Sequence, residues 1–121
     1  MKVRNYREVD ADTEIPGVAL RTVISPEDAP RFSMRVFEVQ AGASTPFHTH
    51  NWEHEVFILS GNGKVRGKDG ERELAPNHVV YVAPDEEHCF TNTGRDIFRF
   101  ICCIPHALQP SLQKPPASCE G

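Results

Sequence analysis

Four of the six histidines in this chain, His48, His50, His54 and His88, lie at spacings that short strands can bring to one point. Imidazole is the commonest protein ligand for transition metals. Four of them with no cysteine pair beside them suggest a metal site. Four ligands leave two positions of an octahedron open, so the chemistry expected is on a bound small molecule. Residues i and i+2 of a strand share a face, so His48 and His50 can both point inward. His54 follows across a short Asn51-Trp52 corner, and His88 opens a later strand behind Pro84. His78, in a turn beside Asn77, and His106, in a proline-rich tail, are read as ordinary histidines.

The elements that must position these side chains have a period of two. Strands are expected over 18–24, 32–39, 55–59, 64–66, 71–74, 78–83, 89–92 and 97–104, separated by turn signals such as Ser60-Gly61-Asn62-Gly63 and Lys68-Asp69-Gly70. No window carries a sustained helical period. Short strands at regular spacing point to an all-β sandwich or barrel of antiparallel strands. Residues 1–105 read as one domain, and 106–121 as a mobile or loosely docked proline-rich tail.

Composition narrows the function classes. With 121 residues the chain builds one core. A formal net charge of -4 leaves no basic stripe for nucleic acid. No apolar stretch approaches a membrane span, and the basic start at Lys2, Arg4 and Arg7 has no apolar segment behind it, so a cytoplasmic protein is expected. Four cysteines are read as reduced thiols; the adjacent Cys102 and Cys103 would point to opposite faces of a strand and cannot form one clip.

The run Gly42-x5-His48-x-His50-x3-His54-x6-Gly61 resembles the first motif of the cupin superfamily, and Pro84-x3-His88-x3-Asn92 resembles the second. The motif core is 42–92, and the likeness spans about residues 30–105. It implies a double-stranded β-helix, or jelly-roll, barrel holding one divalent transition metal (Mn, Fe, Cu, Ni or Zn), and often a homodimer. The glutamate usual in the first motif falls at His54, flanked by Glu53 and Glu55. His54 is the expected ligand, as in small four-histidine cupins, and Glu55 is the alternative reached by a slip of one residue. In the second motif the usual glycines are replaced, with His78 and Glu86 near their places.

Four neutral ligands would leave the metal its full 2+ charge, favouring anionic or enolate-like ligands. Glu53, Glu55 and Asn92 are candidates to hold the outer N–H of a ligand ring. Placing Arg99 outward turns Phe100, Cys102 and Ile104 inward, and Phe90 joins them to make an apolar pocket wall or plain core. Arg35 is either a surface cation or an inward one for an acidic substrate, the surface being the ordinary expectation. A homodimer is expected from outward Phe57 and Leu59 and a strand-like N-terminal segment. The favoured function is a metal-dependent oxidoreductase of dioxygenase type acting on a small chelating substrate. The alternatives are an isomerase or lyase on a sugar acid, with Glu53, Tyr81 or His78 as acid or base, and a metal- or ligand-binding module without turnover. Neither nucleic acid nor membrane is an expected partner.

Overall fold

Alternation of apolar and polar residues places eight strands in the computed structural model, which describes residues 1–47 and 49–106. They are β1 (Val18–Ile24), β2 (Phe32–Val39), β3 (His54–Ser60), β4 (Gly63–Gly67), β5 (Gly70–Leu74), β6 (Val79–Val82), β7 (His88–Asn92) and β8 (Phe98–Pro105). The expected strands are all present, with ends shifted by a residue or so. A five-stranded antiparallel sheet has the order β1-β2-β8-β3-β6, and a three-stranded sheet the order β5-β4-β7. Strand β8 is the seam of the larger sheet, pairing with β2 on one side and β3 on the other.

Burial follows the period. Along β8 the residues Phe98, Phe100, Cys102 and Ile104 are buried, while Arg99, Ile101 and Cys103 between them are half-exposed. On β3 His54, Val56 and Ile58 point inward; Glu55, Phe57 and Leu59 point out. The middle of the barrel is aromatic. Phe100 stacks on Phe37 at 4.9 Å and meets Phe90 at 4.8 Å and Phe98 at 5.3 Å between ring centroids. Each such ring contributes about 1.5–3 kcal/mol by leaving water.

Glycine is required at Gly61, where the motif comparison placed it. Its φ of +81° is the left-handed region, and a Cβ there would run into the Ile97 carbonyl oxygen. The β3–β4 turn can therefore lie flat against the start of β8.

The N-terminal segment departs from expectation. It is not a strand: Tyr6–Glu8 form one 3-10 turn capped by Asn5, and Asp12 makes a single bridge to Leu20. Polar anchors hold it down. Lys2 and Arg4 reach Asp28 at 3.3 and 3.2 Å, and Tyr6 donates to Glu38 at 2.7 Å. The backbone hydrogen bond from Ser25, then the side-chain bond from Arg4, hold the Asp28 carboxyl well below the usual carboxylate range. The proline-rich segment 107–121, with Cys119, lies outside the described residues. His106 follows β8 directly and donates its backbone N–H to the Arg31 carbonyl. Among the described residues no helix is long and apolar enough to cross a membrane.

Candidate metal centre

Two segments carry the histidines, and both are tied to β7. The loop after β2 is laid along it by reciprocal bonds: Thr45 N–H donates to the Phe90 carbonyl, and Phe90 N–H to the buried Thr45 hydroxyl at 2.9 Å. Asn92 N–H bonds the Ala43 carbonyl, and Gly42 N–H bonds the Asn92 carbonyl. This brings the His50 segment beside the start of β7, where Asp85 N–H donates to the His50 carbonyl at 2.7 Å. A tight turn precedes His88. Asp85 has φ +66°, and Glu86 Oε1 accepts from Ala83 N–H at 3.0 Å.

Three of the four expected ligands therefore converge. The His50 and His54 ring centroids are 5.3 Å apart, His54 and His88 4.7 Å, and His50 and His88 6.2 Å. His48 lies outside the described residues. His54 and His88 are almost wholly buried on the inner face, and the Trp52 ring stacks on His50 at 4.6 Å. Among the described residues alone, no three His, Cys, Asp or Glu side chains make up a complete metal-holding group.

The convergence nevertheless suits imidazole ligation, since metal–nitrogen bonds of about 2.1 Å place neighbouring rings about 5 Å apart. The donor chemistry fits too. Nδ1 of His88 is 2.9 Å from the Glu86 carbonyl oxygen. A carbonyl only accepts, so Nδ1 carries the proton and Nε2 keeps the lone pair a metal needs.

Glu55, the alternative ligand, is exposed on the opposite face of β3. Strand parity removes it from the interior, and the same parity puts His54 inside. Among the described residues Asn92 holds no ligand ring; its amide donates at 2.8 Å to the carbonyls of both Val39 and Asp96, tying β7 to β2 and to the turn before β8. The support behind His88 is a backbone carbonyl, which no side-chain pattern could announce.

The surface position expected for Arg35 is also corrected: it is 2% exposed. Its guanidinium lies 3.4 Å from Cys102 Sγ and 5.5 Å over the Phe37 ring. The aromatic face and the aliphatic stem offset part of the cost of bringing this charge inside. Cys102 Sγ in turn lies 3.5 Å from Nδ1 of His54, so Arg35, Cys102 and His54 form a buried polar row. Phe90, Phe100 and Ile104 are buried on the inner face as well, with the Phe90 ring 6.2 Å from His88. Cys103 points the other way; burial, with Cys102 and Glu55 nearby, pushes its thiol up and keeps it protonated.

His88 also borders a cavity of 870 Å³ between β5 and β6, lined by Thr49, Arg66, Tyr81 and Glu86 among others. Arg66 lies over the Phe47 ring at 4.5 Å. Tyr81 is exposed, and His78 is exposed with Nδ1 accepting from Ala75 N–H.

Residues 35–104 match the model of the cupin domain family. The chain belongs to the cupin family. The jelly-roll fold is shared with many solved cupins. The polyketide cyclase RemF from Streptomyces resistomycificus superposes with a TM-score of 0.80 at 29% identity, covering 99% of this chain and 89% of that one. A predicted oxalate decarboxylase from Thermotoga maritima gives 0.75 at 21%, covering 86% and 98%. Ectoine synthase from P. lautus gives 0.74 at 22%, covering 87% and 78%. The last two are likenesses of fold. No curated protein matches the chain.

Proposed function

We propose that this cupin is a divalent-metal-dependent enzyme that closes a ring in an anionic, enolisable polycarbonyl compound by forming a carbon–carbon bond. The observation that carries this reading is the convergence of His50, His54 and His88 beside the buried guanidinium of Arg35. The likeness to a polyketide cyclase along 99% of the chain supports it. His50, His54 and His88, with His48 from the motif, hold the metal. When bound, a dication on neutral imidazoles supplies Lewis acidity for an enolate.

The remaining roles belong to side chains. Arg35 binds the substrate's anionic group and orients it toward the histidines. Phe90, Phe100 and Ile104 form an apolar wall that excludes water and seats a carbon skeleton. Glu86, through its carbonyl, fixes His88; Trp52 limits the rotation of His50. Cys102, whose sulfur lies 3.5 Å from a ligand ring, suits non-redox chemistry, because activated oxygen would carry a thiol there to sulfenic acid and beyond. Dioxygenation of the same class of substrate is the second reading, favoured by the apolar wall. The thiols of Cys89 and Cys103 support a reducing, cytoplasmic setting.

Untagged protein loaded with Mn, Fe, Ni or Zn should convert linear β-polyketones to cyclic products isomeric with the substrate or lighter by one water, without oxygen uptake. Stoichiometric oxygen uptake would replace this reading with the dioxygenase. Metal-loaded protein that does neither, across a panel of β-diketones, β-polyketones and enols, would overturn both.

A further inference from the structure

The polar end of the barrel interior holds a second histidine system beyond the metal ligands. Ser33 and His106 are both buried, and Ser33 Oγ lies 2.9 Å from Nδ1 of His106. Strand register places Ser33 on the inner face of the same sheet as His54. Ser33 pairs with Ile104 across β2 and β8. The β3–β8 register of Glu55 with Cys103 carries His54 to the other side of Ile104. Ser33, Ile104 and His54 thus form one row across three strands, with Ser33 and His54 about 10 Å apart at two strand spacings.

The hydrogen-bond chemistry separates His106 from the ligand histidines. His88 is backed by a carbonyl, which fixes one tautomer. His106 is backed by a hydroxyl, which both donates and accepts. The ring therefore keeps its support as either neutral tautomer or as imidazolium, as a group that takes and returns a proton needs. Its Nε2 is buried and has no hydrogen-bond partner among the described residues.

We infer that His106, positioned by Ser33, is the acid–base residue of the site, serving the α-carbon and the product oxygen of the enolisable substrate. The inference rests on the carbon–carbon bond-forming reading above. Nε2 takes the proton from the α-carbon, and the ring becomes imidazolium with Nδ1–H donating to Ser33 Oγ. The C–H electron pair forms the new bond to the acceptor carbonyl carbon. The carbonyl π pair moves onto its oxygen, which takes the proton back from Nε2. No proton or electron is gained or lost overall.

The test uses acetoacetate in D2O, with α-proton exchange followed by 1H NMR on metal-loaded wild type, His106→Gln and Ser33→Ala of equal metal content and melting temperature. His106→Gln should lower kcat for exchange about 100-fold or more, with KM within about twofold. Ser33→Ala should lower it about tenfold, and 15N spectra of His106 in the metal-free protein should then show a changed tautomer ratio. If wild type exchanges and His106→Gln stays within about threefold of it, the role of His106 is overturned while the cyclisation reading stands. Metal-loaded wild type that exchanges no α-proton overturns both. Should His106→Gln fail to fold, Ser33→Ala decides alone: unchanged exchange and an unchanged tautomer ratio overturn the proposal.

Discussion

Cys102 Sγ lies 3.5 Å from Nδ1 of His54, on the inner face of the barrel. That contact fixes the parity of β3: with His54 against β8's buried cysteine, Glu55 must face solvent. The choice between imidazole and carboxylate at this position thus becomes a question of which face a side chain occupies.

Substitution at the two neighbours should then give opposite results. His54→Ala should weaken metal binding by more than the roughly 10–100-fold that loss of a supporting partner behind a ligand costs. Glu55→Ala should leave affinity within about twofold. Competition with a chromogenic chelator measures both; loss of metal from Glu55→Ala alone would reverse the assignment.

Glu38 should make the fold acid-sensitive. Burial alone would raise its pKa, but hydrogen bonds from Tyr6, Arg99 and Arg21 outweigh it and hold the carboxyl below its ordinary value of 4.5. A folded-state pKa below the unfolded one means that the stabilisation is present above the unfolded value and is lost as pH falls through the folded value. Glu38→Gln should cost about 1–2 kcal/mol near neutral pH. The gap from wild type should close as the pH drops below the ordinary carboxylate range. Urea unfolding at a neutral and an acidic pH gives both differences, and a gap independent of pH would refute the linkage.

The outer face of the large sheet should join two copies. Phe57, Leu59, Val79 and Tyr81 are exposed there at 42%, 39%, 72% and 59%, and apolar side chains gathered on one face are what protein–protein contacts use. Sedimentation should give twice the 13.6 kDa of one chain, and Phe57→Glu should give the single chain without loss of melting cooperativity. A wild type that sediments at 13.6 kDa removes the dimer.

Strand positions were legible because period-two burial is written directly in residue type, as the unbroken alternation on β8 shows. The same alternation, with Arg99 taken as outward, brought Phe100, Cys102 and Ile104 inside. Arg35 escaped it. A charge reads as surface until the Phe37 ring and the Cys102 sulfur, 67 residues away in sequence, are seen around it. The prolines after His106 suggested a tail, while its own burial and its backbone bond to Arg31 depend only on tertiary register. The N-terminal segment is held by ion pairs to Asp28 that span 24 and 26 residues, beyond any local pattern.

The seam position of β8 has a consequence for how the barrel comes into being. Strands β1 and β2 can pair as soon as both exist, and so can β3 and β6, but in the sheet neither pair hydrogen-bonds to the other, and residues 98–105 lie between them. During synthesis the two halves must wait for that strand, which then zips both edges at once and brings Cys102 to His54 and Arg35. Pairing of such long range slows folding, and until residues 98–105 are in place β2 and β3 each present an unpaired sheet edge.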